Sequence, residues 1–385
     1  MGNLRSISAL AFATTTSILL SAFQGSYRPV FSAQERIAKP ETKTNCKTWL
    51  NAHKPADESF EQQYERVWQL AAQNFLYEER LRNFDNWRDK YKGKLHTPGD
   101  FDTACTAMLD YLNDEYTFFR DVHCTGERKS ESSAHNVVST KTFKNSIGYI
   151  KIRTFSARAC VEETRSALKQ FASQRAIILD LRDNWGGSID DAFAIFQMLV
   201  DSGGFVKMVG REDAVGYTET LSVEPQQAVK ARDGDLVVLS RETCIAAHTP
   251  ILVLVNGESK SAAEMLAGAL KDNGRAALIG EKTFGKGVVQ QVWEFDNGTS
   301  VKITSARFFR PSGLPIQGVG LAPDVKVHVS RASDAQLQRA IQLAFNNARK
   351  HIAYKILPLE KRPQHQALRR TTSPSAIGHA ASGNR

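Results

Sequence analysis

Ala176-Ile177-Ile178-Leu179-Asp180-Leu181 and Ile251-Leu252-Val253-Leu254-Val255 decide how this chain folds. Each is a short apolar run without alternation, the pattern of a strand covered on both faces and so of a parallel sheet between layers. Each passes through small and polar residues into a helical pattern. Asn184-Trp185-Gly186-Gly187 leads to a helix over Ile189–Leu199, and residues 256–261 lead to one over 262–271. Upstream, a strand at 148–152 is followed by a helix over 161–171. Downstream come strands at 276–280, 288–295 and 300–306 and a closing helix over 334–349. Repeated strand–turn–helix units imply an α/β fold.

Before this core, Val67, Leu70, Ala71 and Phe75, and then Cys105, Met108, Leu109 and Leu112, recur at helical spacing. They predict a helical cap over 59–123, its second helix opened by Thr97-Pro98-Gly99-Asp100 and closed by Asp114-Glu115-Tyr116-Thr117. Residues 124–146 are expected as a loop, 147–330 as the core, 331–357 as a C-terminal helix and 358–385 as a disordered basic tail. At the other end, Arg5 and the apolar run over 9–23 resemble an export signal, with cleavage after Ala22 or Ala33, and 34–58 form a linker. An uncleaved anchor is the alternative, and Met1-Gly2 with Ser6 also fits a myristoylation pattern. No other stretch is long enough to span a bilayer.

The 385 residues carry a formal charge of +9 and are 42% hydrophobic, a globular balance. Between 349 and 385 there are eight basic residues and one acid, so the excess reads as a solvated helix end and tail, with a nucleic-acid or anionic-lipid contact as the alternative and no nucleic-acid partner expected. The five cysteines, Cys46, Cys105, Cys124, Cys160 and Cys244, form no C-x-x-C pair, which removes zinc-ribbon and thioredoxin-like chemistry. Some of the first three could pair after export, and Cys160 and Cys244 suit buried free thiols. Neither a metal nor an organic cofactor is indicated.

No G-x-S-x-G elbow and no H-E-x-x-H motif is present. A serine with a lysine base remains. Ser261 stands between a buried strand and a helix, where active sites of α/β folds open and where a helix N-terminus favours a developing oxyanion. With Glu264 three residues on, it could equally be a helix cap. Lys286, in Thr283-Phe284-Gly285-Lys286-Gly287, acts as a general base only if burial or a nearby cation lowers its pKa; the alternative is a solvated turn lysine. Gln290, four residues on along a strand, would share its face. Gly186-Gly187 is either a tight turn or an amide donor to a substrate carbonyl.

Together these segments resemble the carboxy-terminal processing (tail-specific) serine protease family. Its pattern has a strand ending in L-R-x-N-x-G-G, then S-x-S-x-S-E, then T-F-G-K-G with lysine 25 residues after serine, as Lys286 follows Ser261 here. Gly320-Leu321-Ala322-Pro323-Asp324-Val325 matches as well, and the likeness covers roughly residues 60–347. It implies a ClpP/crotonase-like β-α core under the helical cap. It makes Ser261 the nucleophile, Lys286 the base and Gln290 its positioner, with an oxyanion hole from the N–H of Ala262 and that of Gly186 or Gly187. The substrate would be a polypeptide cut near its C-terminus, in a periplasm or a thylakoid lumen. Three departures stand out. Too few residues separate Thr117 from Ile147 for the family's PDZ domain, so an adaptor or activator protein is a possible partner. Lys260 replaces a small residue beside the nucleophile and is expected to face solvent. Trp185 replaces proline. The alternatives are a non-catalytic binding module of the same fold and an enoyl-hydratase-like enzyme, in which Ser261, Lys286 and Gln290 have no role.

Overall fold

The computed structural model describes residues 58–121, 137–156, 159–295, 298–330 and 333–350. The expected export signal, the linker up to residue 57, the basic tail, Cys46 and Cys124 lie outside them. At the centre is a six-stranded sheet in the order β2-β3-β4-β9-β10-β13. Its strands are β2 (Val138–Phe143), β3 (Ile147–Ile152), β4 (Ala176–Asp180), β9 (Ile251–Val255), β10 (Ala276–Gly280) and β13 (Val325–Lys326). All are parallel except the antiparallel edge strand β2.

Both faces of this sheet are covered, which is why β4 and β9 are apolar without alternation. Ile177, Leu179, Ile251, Val253 and Val255 pack in one core with α3 (Ala159–Phe171), α4 (Ile189–Leu199) and α5 (Ala262–Asp272). Ala176, Ile178, Leu252 and Leu254 pack on the other face against Ala340 and Ala344 of α6 (Ala335–Lys350).

A second, antiparallel sheet closes the first core from the far side. It comprises β1 (Phe118–Asp121), β5 (Gly203–Glu212), β6 (Val215–Val223), β7 (Ala228–Arg232), β8 (Asp235–Leu239), β11 (Val288–Glu294) and β12 (Thr299–Phe309). Phe205, Met208, Leu221 and Phe308 carry it into the central core. The meander β5–β8 was not expected from the sequence, whereas the expected strands at 288–295 and 300–306 are β11 and β12 of this sheet.

The helical cap joins the same sheet. Its helices α1 (Phe60–Asn74) and α2 (Pro98–Asp110) open with capping boxes, Ser59 with Gln62 and Thr97 with Asp100. Val67, Ala71, Phe101 and Met108 pack on Val301 and Ile303 of β12, and β1 pairs with β12 in the register Phe118↔Lys302. Within the expected loop 124–146, residues 138–143 are instead the strand β2, pairing with β3. Cys105 and Cys160 are buried free thiols and Cys244 is a half-buried one, so the possible pairing of Cys105 is not made. Among the described residues no helix is long and apolar enough to cross a membrane.

One feature of the register fixes the site. Asp180 lies beside Leu254 on adjacent parallel strands, so the turns 181–188 and 256–261 leave the same edge of the sheet together. Such a carboxyl edge is where α/β sheets place their chemistry.

Candidate active site

Ser261 caps α5 with φ 55° and ψ −117°, a conformation that costs a non-glycine residue about 1–3 kcal/mol. Neighbouring bonds hold it there. Asn184, fully buried, accepts Lys260 N–H on its carbonyl at 2.9 Å, donates to Ile152 O at 3.0 Å and accepts Gly186 N–H on its side chain at 2.8 Å. Ser259, also fully buried, donates to Leu181 O at 2.8 Å. The two turns are thereby stitched into one unit around the serine.

The glycine pair packs directly on this unit. Gly186 has φ +93°, and a Cβ on it would stand 2.9 Å from Ser261 Cβ and 3.0 Å from Ala262 N. Its N–H is committed to Asn184 Oδ1, which removes Gly186 from the expected oxyanion donors. Gly187 differs. It lies opposite Phe155 in a parallel bridge, with Phe155 N–H bonding Gly186 O at 2.9 Å and Ser188 N–H bonding Phe155 O at 3.0 Å. In that pattern the amide of Gly187 itself points away from Phe155. Of the expected donors this leaves the amides of Gly187 and of Ala262, the latter at the positive end of α5. Gly186→Ala is expected to push Ser261 aside and to lower any peptidase kcat about 100-fold, checked by steady-state kinetics beside a near-UV spectrum of the folded variant.

Lys286 is tied to the serine through Glu264, a side chain with no solvent exposure. Glu264 Oε1 accepts Thr283 Oγ1–H at 2.5 Å and Gly285 N–H at 2.8 Å. Its Oε2 accepts Lys286 N–H at 2.9 Å and Ser261 N–H at 3.0 Å. Burial raises the Glu264 pKa and these four bonds oppose that rise. One carboxylate oxygen thus touches the backbones of both expected catalytic residues. The sequence suggests only a helix cap at Glu264.

The Lys286 amine is pulled down to about 8, first by burial and then by the neighbouring Lys302 ammonium, with a smaller push from Lys260. Glu115 and Asp114 oppose this. Lys286 is half-buried, unlike a fully solvated turn lysine. The Tyr116 ring lies 4.8 Å from Nζ, and Asp114 anchors this segment on β12 by accepting Thr117 and Thr304 hydroxyls at 2.7 Å each. Tyr116 and Lys302 were not singled out in the sequence; they reach the site from the cap and the second sheet.

Gln290 lies on β11, whereas Lys286 stands two residues before that strand begins at Val288; the register shift beside Gln290 skips Ser305 of the partner strand β12. The Gln290 amide nitrogen is buried without a hydrogen-bond partner. Lys260 does not simply face solvent: its ammonium lies 4.2 Å from the Phe284 ring centroid, 5.3 Å from that of Trp185 and 3.0 Å from Glu258.

Residues 146–327 match the model of peptidase family S41. Over that span the chain is similar to S41 peptidases. The span contains Ser261, Lys286 and the glycine turn, whereas Tyr116 comes from outside it. The chain is 36% identical over 181 residues to carboxyl-terminal-processing peptidase 3, chloroplastic, of Arabidopsis thaliana, covering 46% of this chain and 31% of that protein. It is 35% identical over 207 residues to the carboxyl-terminal-processing protease of Picosynechococcus sp., covering 51% of this chain and 45% of that one. It therefore spans less than half the length of these curated relatives. Among solved structures, the photosystem II D1 C-terminal processing protease superposes with a TM-score of 0.53 at 20% identity, over 70% of this chain and 93% of that one. A lipoprotein from Streptococcus agalactiae gives 0.57 at 15% identity, over 76% and 98%. At these identities the structures show the fold alone, an α/β fold.

Proposed function

We propose that the chain is a serine endopeptidase in which Ser261 attacks a peptide carbonyl while the neutral Lys286 amine takes its proton. The Oγ–C bond forms as the carbonyl π pair moves onto oxygen, where Gly187 N–H and Ala262 N–H receive the negative charge. Collapse breaks the C–N bond, and the Lys286 ammonium returns the proton to the departing amine. Water, deprotonated by the same amine, then releases the acyl group from Ser261. The observation that carries this reading is the Glu264 carboxylate that holds Ser261 and Lys286 together while burial and Lys302 lower the lysine's pKa.

A base with its pKa near 8 gives an acid limb in kcat/KM centred there. Removing a nearby cation raises that pKa, so Lys260→Met and, more strongly, Lys302→Met are expected to move the limb to higher pH. Full pH–rate profiles of both variants check the sign and the order.

The names of the relatives support processing at carboxyl termini as part of the same proposal, and export from the cytoplasm is added to it on the N-terminal pattern of Arg5 and the apolar run over 9–23. Gln290, with its unpartnered amide nitrogen, is kept as a group that could orient Lys286 or a substrate carbonyl. The test is digestion of reduced, unfolded casein with mapping of the cut sites by mass spectrometry. Cleavage clustered toward C-termini supports the full proposal. Internal cuts throughout support the peptidase without tail specificity. Peptide binding without cleavage favours the binding module.

A further inference from the structure

Three side chains that flank the proposed catalytic elements meet outside the chemistry. Trp185 precedes Gly186, Lys260 precedes Ser261, and Phe284 stands two residues before Lys286. Trp185 is 70% and Phe284 47% exposed, unusual for large aromatics beside a polar site. The Lys260 side chain bridges the two rings and is itself only 22% exposed. Backbone bonds fix the main chain at two of the three residues, Phe284 N–H to Ser259 O at 3.2 Å and Lys260 N–H to Asn184 O at 2.9 Å. Gly285 packs against the loop carrying the exposed Val319, whose N would lie 3.3 Å from a Cβ on that glycine.

We propose that Trp185, Lys260 and Phe284 form a preformed platform that receives an apolar side chain of the polypeptide substrate next to the scissile bond. The inference rests on the serine-peptidase reading and names what that site prefers. Its position follows from the glycine turn: the residue after Trp185 packs on Ser261 Cβ, so a chain engaging the nucleophile passes over the rings. An apolar occupant fits better than a carboxylate. The Lys260 ammonium is already paired with Glu258 and with two ring faces, whereas most of the Trp185 surface and about half of that of Phe284 is left uncovered by the described residues. Because the rings are held before substrate arrives, little ordering is needed on binding. A pocket contact of this kind gives discrimination of about 10- to 200-fold.

The experiment uses peptides that vary only the residue on either side of the cut among Gly, Ala, Leu, Phe and Glu. They are assayed with the parent, Trp185→Ala, Trp185→Phe, Phe284→Ala and Lys260→Met. The rate of Ser261 acylation by a small fluorophosphonate is measured on each as a control for an intact site. The parent is expected to favour Leu or Phe over Gly at one position by at least about tenfold. Trp185→Ala and Phe284→Ala should flatten that preference, mainly through KM, with acylation unchanged; Trp185→Phe should restore it. An unchanged preference in both alanine variants overturns the platform while leaving the peptidase standing. A preference for Glu that only Lys260→Met removes overturns it in favour of an anion site. A parent that cleaves no peptide removes the peptidase reading and the platform with it.

Discussion

Ser261→Ala and Lys286→Ala are each expected to lower casein cleavage by about 10⁴-fold or more, to the level that binding and the amide donors alone provide. The two losses should be similar and the double variant no worse, because nucleophile and base act as one unit. Serine without a base is a poor nucleophile near neutrality, and the lysine without the serine has nothing to deprotonate. Lys286 separates this expectation from a generic folding defect. A half-buried ammonium is costly, so replacing it by an uncharged side chain removes charge that the fold does not welcome. Lys286→Ala should therefore retain a cooperative thermal transition while losing activity, which differential scanning calorimetry beside the casein assay would show.

Glu264→Gln should be nearly as damaging by a different route. The carboxylate accepts four hydrogen bonds with no solvent exposure. An amide offers one acceptor oxygen and turns two donor protons toward the remaining N–H or O–H groups. Whichever way it is oriented, either Thr283 and Gly285 or Ser261 and Lys286 face a donor. Stranding two buried donors costs about 2–5 kcal/mol, and loosening Ser261 from Lys286 costs about 100-fold or more in kcat. Glu264→Asp, which keeps the charge but shortens the reach, should recover stability in part and activity less. A denaturant midpoint read with kcat for the three proteins tests this, and an unchanged kcat in Glu264→Gln would remove Glu264 from the positioning role.

What could be read from the sequence divides along physical lines. The parallel strands at 176–180 and 251–255 were legible because burial on both faces leaves an unbroken apolar run, and the helices after them because cap and period agree. The meander over 203–239 was not, although Asp233-Gly234 carries a hairpin signal. In β8 every residue from Asp235 to Val238 is exposed, so no hydrophobic pattern marks it. Ser261, Lys286 and the glycine turn were singled out by spacing and likeness. The choice between Gly186 and Gly187 was not legible, since it depends on which amide Asn184 takes and on a bridge to Phe155. Glu264 was hidden by a motif that serves capping and positioning alike. Tyr116 and Lys302 were hidden by sequence distance, because only the docking of the cap on β12 brings them to Lys286.

The most direct measurement is the rate at which a fluorophosphonate modifies Ser261 as a function of pH, with the adduct located by mass spectrometry. A single adduct on Ser261, forming faster as pH rises through about 8 and lost in Lys286→Ala, is the predicted result. Modification at another residue, or a Ser261 rate indifferent to both pH and Lys286, would contradict a serine activated by a lowered lysine.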